Sequence, residues 1–316
     1  MRRSSTSSPA KPRPPVKNGV GPSTVALPDG KWLSLIDFLE HRFPAIPRSE
    51  WLDRIVRGDV LDEHCNSVSA DEPYRPNTKA HYYRRKEDEP QVPFQEVVLF
   101  QDEYLVVADK PHFLPVISTG RYVLESLLVR LKRRLGIDEL VPLHRIDRDT
   151  AGIVLFAIQP ATRDRYMKLF RHRAIRKYYE AVAPYRADLK LPLHYRSRLV
   201  EGDSFMQMRS VDGEPNSESS IELLEVRDTP SENSMARYGL APITGKKHQL
   251  RVHMAALGIP SANDRIYPTL LPAAKTPEEF AEEYRHPLQL LAKRIEFIDP
   301  VTQSQRSFVS QQTLQW

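Results

Sequence analysis

The feature that most constrains the fold is a charged turn between two apolar segments. Residues 144–149 contain two arginines, two aspartates and a histidine. Five leucines precede the turn at helical spacing, Leu124, Leu127, Leu128, Leu131 and Leu135. Residues 152–158 follow it and are apolar enough to form a buried strand. Because burying ions is costly, the turn must line a solvated cleft or be strongly paired, and a salt-bridged loop is the alternative to a reaction site.

The order of the elements predicts an α+β protein. Strand-like segments occupy residues 97–100, 105–107, 152–158 and 178–182, and helical patterns occupy residues 124–135 and 161–173. Strands and helices alternate irregularly, with no βαβ period and no Gly-rich turn. This order favours α+β or a mixed sheet over a doubly wound fold.

Three regions follow from local composition. Residues 1–30 are rich in Ser, Pro and basic side chains, which predicts a flexible basic tail. Residues 31–90 contain two short helical patterns and then an extended segment from Val60, which predicts a small N-terminal module. Its outline resembles a degenerate S4-type RNA-binding module, and a plain structural subdomain is the alternative. Residues 91–316 form the main domain.

Charge and cysteine content exclude several classes of protein. The net charge of +5 comes from the tail, because five of the 46 basic residues precede Asp29, the first of 41 acidic ones. Only local clusters can therefore indicate nucleic-acid binding. Cys65 is the single cysteine, which excludes an internal disulfide and a thiolate metal cluster. With no membrane-length apolar run and no signal peptide, the sequence predicts a cytoplasmic protein without a membrane partner.

Three ordered motifs carry a family resemblance. HRIDRDTAG at residues 144–152 is similar to the HRLDxxTSG motif of RluA-type pseudouridine synthases. KYYEA at 177–181 resembles KxYxA, and TGKKHQLRVH at 244–253 resembles TGRxHQIRVH. DKP at 109–111 also matches, and the resemblance covers roughly residues 95–270. Departures from the family pattern are Ile146, Ala151, Lys246 and Asn263.

The resemblance implies a fold and a reaction. It implies a mixed, largely antiparallel sheet flanked by helices, and isomerisation of specific uridines to pseudouridine in structured ribosomal or transfer RNA. The reaction breaks the bond from ribose C1′ to uracil N1 and rejoins the base through C5, so it needs no cofactor. It does need an extruded nucleotide, a carboxylate near the sugar and a shielded pocket.

Asp147 is the expected catalytic carboxylate. It could attack the sugar, stabilise positive charge at C1′, or remove a ribose proton to form a glycal, and the sequence leaves these routes open. The resemblance places Arg251 beside it, on a predicted strand whose Leu250 and Val252 face away. It also places Tyr179 against the target base. Asp149 is the rival carboxylate.

Basic residues around the turn are expected to bind RNA. Arg145 is expected to enter the RNA stack where the uridine leaves. Residues 163–177 hold seven basic residues against one acid, typical of a helix with a positive flank. The predicted RNA contacts are Arg145, Arg148, Arg163, Lys168, Arg171, Lys246 and Lys247. We expect no metal site, because His248 and His253 do not have HExxH spacing and lie among cations.

Two other classes of function compete with the enzyme. A non-catalytic RNA-binding protein on the same fold would not require Asp147, Arg145, Tyr179 and Arg251 together. A nucleoside hydrolase would release free uracil. A kinase catalytic loop is rejected, because Ile146 separates Arg145 from Asp147 and no Gly-rich phosphate loop lies upstream. No protein partner is implied.

Overall fold

The structure of the chain, a computed structural model, describes residues 14–84, 89–227 and 234–315. The chain divides into two compact units, Met1–Glu89 and Pro90–Trp316. In the described ranges, no helix combines the length and the apolar character that a membrane span requires.

From residue 14 to residue 84, the N-terminal unit is a three-stranded antiparallel sheet with two helices. Its strands are β1 (Ser23–Leu27), β2 (Val60–Leu61) and β3 (Thr78–Tyr82), in the order β1-β3-β2, and its helices are α1 (Leu35–Arg42) and α2 (Arg48–Val56). Ser34 begins α1 with a capping box to Asp37. Phe38 of α1 and Trp51 of α2 are buried in one apolar cluster. The resemblance of this unit to an S4-type module stays a prediction.

The end of the N-terminal tail differs from the prediction. Residues 23–27 fall within the expected tail, yet they form β1, paired with β3 from Ser23 opposite Tyr82 to Leu27 opposite Thr78. Val25 and Leu27 alternate with exposed residues and are buried. Two apolar positions are too weak a pattern to stand out from a segment rich in Ser and Pro, and only the pairing with β3 makes them a strand. Residues 1–13 lie outside the described residues.

The described residues of the C-terminal unit form eleven strands and four helices. Its strands are β4 (Val97–Gln101), β5 (Leu105–Lys110), β6 (Val141–Pro142), β7 (Ala151–Ala157), β8 (Arg176–Pro184), β9 (Leu193–Glu201), β10 (Met208–Val211), β11 (Ser217–Val226), β12 (Met235–Pro242), β13 (Leu290–Ile298) and β14 (Gln305–Val309). Its helices are α3 (Leu127–Leu135), α4 (Pro160–Arg171), α5 (Gln249–Ala256) and α6 (Pro277–Arg285).

One mixed sheet joins these strands. Its order is β10-β9-β11-β12-β8-β13-β7-β5-β4, with β14 paired to β13 and β6 paired to β7. Among the described strands of this sheet, the pair of β7 with β13 is parallel and the others are antiparallel. The predicted α+β class with a largely antiparallel sheet is therefore confirmed.

Strand β7 fixes the position of the charged turn. Every residue of β7 is buried, and its two faces belong to different core clusters: Phe156 packs with Leu131 of α3, and Leu155 with Tyr166 of α4. At its start, Gly152 has φ +112°, and a Cβ there would lie 2.3 Å from the carbonyl oxygen of Ala292. Glycine thus permits the close approach of β7 to β13. The charged turn 143–150 leads directly into this rigid strand.

The prediction of a strand around Arg251 is wrong, because Gln249–Ala256 form helix α5. His248 precedes the helix in a left-handed conformation with φ +54°, and Gly258 follows its end with φ +72°. Every residue from Gln249 to Met254 is buried, so the pattern of buried positions does not show the helical repeat. The apparent alternation of Leu250, Arg251 and Val252 is misleading because all three side chains are buried.

Candidate active site

Arg251 and Asp147 meet between α5 and the charged turn. Leu250 anchors α5 in a core cluster with Ala181 of β8 and Leu240 of β12. From this helix, Nη1 of Arg251 donates a hydrogen bond of 3.1 Å to Oδ2 of Asp147. The Arg251 side chain is 2% exposed, whereas that of Asp147 is 27% exposed. The carboxylate is therefore held from inside the protein and remains open to solvent.

Asp264 fixes the guanidinium of Arg251, and the sequence analysis missed it. Its two oxygens accept hydrogen bonds of 2.7 Å from Nε and 2.6 Å from Nη2 of Arg251. Oδ1 also accepts the backbone N–H groups of Ile266 and Tyr267, at 2.8 and 3.0 Å. A bidentate pair of this kind sets both the position and the plane of the guanidinium.

The departure at residue 263 has a structural explanation. Asn263, where the family commonly has glycine, adopts φ +60°. Asparagine tolerates this left-handed conformation better than most residues. The turn that presents Asp264 is therefore compatible with asparagine, and the Asn-Asp pair was the signal from which Asp264 could have been found.

The site keeps Arg251 positively charged. Burial disfavours the charged guanidinium, but its hydrogen bonds to Asp264 and the negative charge of Asp147 outweigh burial and raise the pKa of Arg251. One permanent cation thus lies between two carboxylates, of which Asp264 is 1% exposed and Asp147 is 27% exposed. Asp264 is saturated by protein donors, which leaves Asp147 as the carboxylate able to face a ligand.

His248 and Tyr267 form a second contact with Asp147. The Tyr267 hydroxyl accepts the backbone N–H of Met208 at 2.7 Å and lies 3.0 Å from Nδ1 of His248. Burial lowers the pKa of His248 and so favours the neutral ring. Nε2 of His248 lies 3.8 Å from Oδ1 of Asp147. No motif in the sequence pointed to this contact of His248 with Asp147.

Tyr179 lies within reach of the charge of Asp147. It is on β8 opposite Leu240 of β12, and it packs against the cluster that anchors α5. Burial raises the pKa of Tyr179, and the negative charge of Asp147 adds to the effect. Tyr178 points to the other face of the sheet, where the Arg294 guanidinium lies 4.2 Å from its ring centre. Tyr179, rather than Tyr178, thus packs against the cluster that holds α5 and is influenced by the charge of Asp147.

Arg148 is committed to contacts inside the protein. Its Nε donates to Oδ1 of Asp149 at 2.7 Å, Nη1 donates to the Tyr122 hydroxyl at 3.0 Å, and Nη2 pairs with Glu283 of α6. Burial disfavours the charge of Asp149, but Arg148 and Arg251 outweigh it and lower the pKa of Asp149. These contacts differ from the predicted role of Arg148 in binding RNA, and they give Asp149 the role of a structural anion.

A buried lysine supports the charged turn through hydrogen bonds to backbone carbonyls. Lys110 is fully buried, and its Nζ donates to the backbone carbonyls of Pro111 at 2.8 Å and Arg148 at 2.9 Å. Burial lowers the pKa of Lys110 to about 7. The DKP segment at the end of β5 is thereby tied to the charged turn after β6.

His144 has a scaffold role in the charged turn. Its Nε2 accepts the backbone N–H of Leu155 at 3.1 Å, and its ring stacks on Phe170 of α4 with ring centres 4.9 Å apart. Burial lowers the pKa of His144 to about 3, so the ring is neutral. The stacking also places the C-terminal end of α4 beside the charged turn.

The predicted RNA-binding residues differ in how free they are. Arg145, Lys246 and Lys247 are exposed beside the site. On α4, Lys168 and Arg171 are exposed, and the Nζ of Lys168 and the Nη2 of Arg171 each lie 3.0 Å from a carboxylate oxygen of Asp164. Nη2 of Arg163 donates a hydrogen bond of 3.0 Å to the backbone carbonyl of Glu139. Exposed pairs of this kind exchange readily, so these cations can turn to a phosphate.

No group of three or more His, Cys, Asp or Glu side chains in the described residues could hold a metal ion. His253, one of the two histidines considered for such a site, is buried and contacts three serine hydroxyls, those of Ser197, Ser217 and Ser219.

The chain is similar to known proteins over the region that contains this site. The family described as RNA pseudouridylate synthase matches residues 104–256. The chain is 30% identical over 240 residues to an RNA pseudouridine synthase of Synechocystis sp., covering 74% of this chain and 79% of that protein. It is also 30% identical over 226 residues to the dual-specificity RNA pseudouridine synthase RluA of Pasteurella multocida, covering 69% and 94%.

Solved structures show the same fold. Human RNA pseudouridylate synthase domain containing 4 superposes with a TM-score of 0.51 at 25% identity, over 69% of this chain and 88% of that one. Human RNA pseudouridylate synthase domain containing 1 superposes with a TM-score of 0.54 at 18% identity, over 71% and 86%. The motifs that hold Asp147, Tyr179 and Arg251 all lie within the matched family region.

Proposed function

The chain belongs to the RluA-type RNA pseudouridine synthases, enzymes that isomerise uridine in RNA, and we propose that Asp147 is its catalytic carboxylate. The observation that carries the proposal is the hydrogen bond from Arg251 to Asp147, with Arg251 itself locked by Asp264. A carboxylate with one oxygen fixed by a buried cation and its side chain 27% exposed can meet a ribose without losing its orientation.

Arg251 and Tyr179 complete the proposed machinery. Arg251 holds the direction of the carboxylate and balances its charge while the base is detached. Tyr179 stacks on the uracil ring, and its raised pKa keeps the phenol protonated, so it serves as a surface and a hydrogen-bond donor. Asp147 can attack C1′, stabilise positive charge there, or take a ribose proton, and the same placement serves each route.

We propose that the RNA approaches over exposed cations on both sides of Asp147. Arg145 fills the gap that the flipped uridine leaves, while Lys168 and Arg171 on one side and Lys246 and Lys247 on the other hold phosphates. Ribosomal or transfer RNA is the proposed substrate, since relatives are named dual-specificity RNA or tRNA pseudouridine synthases. A cytoplasmic location stays our prediction.

Replacement of Asp147 tests the proposal. Asp147→Asn keeps the shape of the side chain and one acceptor oxygen for Arg251 but removes the charge, so we expect folded protein that binds RNA and forms no pseudouridine. Asp149→Asn is the matched variant, and its folded fraction should retain measurable turnover. Pseudouridine and free uracil are measured by nucleoside analysis of treated bulk ribosomal and transfer RNA. Turnover by Asp147→Asn would remove this residue from the mechanism, and release of free uracil by the wild type would indicate a hydrolase.

A further inference from the structure

An exposed aromatic side chain stands at the tip of the hairpin between β9 and β10. Phe205 is 84% exposed and Met206 is 39% exposed. A single exposed apolar residue is ordinary on a protein surface. Phe205 differs because the hairpin that carries it is anchored to the candidate active site.

Three hydrogen bonds make this anchor. Nζ of Lys247 donates to the carbonyl of Phe205 at 2.7 Å. Nε2 of Gln207 donates to the carbonyl of Ile266 at 3.0 Å, and the N–H of Met208 donates to the Tyr267 hydroxyl at 2.7 Å. Each of these bonds ends at a residue next to the groups around Asp147. Lys247 precedes His248, and the backbone N–H groups of Ile266 and Tyr267 donate to Asp264.

The hairpin is closed within itself and packed at its base. Gly202 donates its N–H to the carbonyl of Gln207, and Gln207 donates to that of Ser204, both at 2.9 Å. Met208 at the base packs against a cluster that includes Leu199, Val252 and Tyr267. The base of the hairpin therefore joins the core beside the site, whereas the Phe205 ring at the tip does not take part in that cluster.

The surroundings of the tip favour a nucleic acid over a protein. Lys246 and Lys247 are exposed beside the hairpin. The hairpin also carries the exposed acids Glu201 and Asp203, and Asp203 pairs with Arg209 at 3.5 Å. A protein partner needs a broad apolar patch, which two side chains do not supply. An isolated aromatic ring beside exposed lysines is instead an arrangement on which single-stranded bases stack.

We propose that Phe205 stacks on an unpaired base of the substrate RNA, close to the uridine that enters the site. Met206 packs beside that base, and Lys247 holds the tip in place while its charge faces the phosphates. The substrate recognised in this way is RNA with unpaired nucleotides next to the target, a loop or a bulge rather than a continuous duplex. This inference rests on the proposed function, because it takes the pocket of Asp147 as the point where the uridine enters.

Affinity for two defined RNAs tests the inference. The probes are a stem–loop with seven uridines in its loop and the same sequence fully paired to its complement. We expect the wild type to prefer the stem–loop, and Phe205→Ala to bind it about tenfold more weakly, as expected for loss of one stacked base. Affinity for the duplex should not change. Ile298→Ala, which truncates a side chain that is 62% exposed in β13, is the control and should match the wild type.

A second pair of variants separates stacking from apolarity. Phe205→Trp should restore affinity, and the fluorescence of the added tryptophan should be quenched by the stem–loop relative to the wild type. Phe205→Leu keeps an apolar side chain without a π-face and should behave like Phe205→Ala. Equal stem–loop affinity of Phe205→Ala and the wild type, a wild type without preference for the stem–loop, or an unquenched Phe205→Trp would each overturn the proposal.

The outcome is distinguishable from failure of the proposed function. Binding is measured both in the wild type and in Asp147→Asn, and pseudouridine formation is measured separately in bulk RNA. If the wild type isomerises uridine but Phe205→Ala binds normally, only the inference about the hairpin fails. If Phe205→Ala loses affinity but Asp147→Asn still forms pseudouridine, only the role of Asp147 fails.

Discussion

The guanidinium of Arg251 and the basic side chains of helix α4 flank the same charged turn, but the first is buried and the others are exposed. The Arg251 side chain is 2% exposed and is clamped by Asp264 through two hydrogen bonds. The Lys168 and Arg171 side chains are 53% and 58% exposed and share Asp164 as their partner. Buried charges fix a geometry and are costly to disturb, whereas exposed charges contribute little to stability and stay available to a ligand.

The largest expected effect comes from removing the partner of the buried cation. Asp264→Ala leaves Arg251 buried with Asp147 as its remaining carboxylate, so we expect a loss of about 3–5 kcal/mol in the free energy of unfolding. A displaced guanidinium no longer orients Asp147, so activity should fall by about 100-fold or more in the folded protein. Denaturant unfolding and single-turnover kinetics measure the two effects.

Asp164→Asn is the matched control for Asp264→Ala. It removes an aspartate that also contacts two basic side chains, but at an exposed position. We expect a change in unfolding free energy below about 1 kcal/mol. Equal destabilisation by the two variants would contradict the contrast between the buried and the exposed set.

Lys110 is a third case, a buried lysine that has backbone carbonyls as its hydrogen-bond partners. Burial lowers its pKa from the ordinary 10.5 to about 7. Between these values the unfolded state binds a proton that the folded state lacks, so stability should rise with pH, with a slope of up to about 1.4 kcal/mol per unit. Lys110→Met removes the titrating group, so this rise should disappear.

Urea unfolding of the wild type and Lys110→Met between pH 7 and pH 9.5 measures that slope. The range stays below the titration of ordinary tyrosines. Lys132→Met serves as the control, because the Lys132 pKa is also lowered by burial but this lysine lies on α3, away from the turn. Identical slopes in the wild type and Lys110→Met would show that Lys110 does not control the pH dependence.

The smallest effect on stability is expected for the exposed set. Replacing Lys168 and Arg171 by Gln should change the unfolding free energy by less than about 1 kcal/mol. RNA binding should weaken, and the slope of log affinity against log salt should flatten by about one unit for each lost phosphate contact. In this assay Asp164→Asn frees both cations and should strengthen binding. An unchanged slope of log affinity against log salt would show that α4 is not part of the RNA-binding face.

Several parts of the site could be predicted from the motifs alone. The charged turn with Asp147, the strand with Tyr179 and the basic helix with Lys168 are local patterns, and the sheet class follows from the order of the elements. The fold is confirmed, whereas the catalytic roles stay proposals. Sequence reasoning was wrong where periodicity was ambiguous, as at Arg251, where burial on every side of α5 hides the helical repeat.

The amino-acid sequence determined which chemical groups the protein possesses and in which local segments they occur. Tertiary structure decided which charges meet: Arg251 lies 104 positions from Asp147, and Arg148 lies 135 positions from Glu283. It also turned Arg148 from an expected RNA contact into a support for the turn, and selected Asp264 as the clamp of Arg251. The physical reason is that the partner of a buried ion is set by packing between distant elements, which a local pattern does not encode.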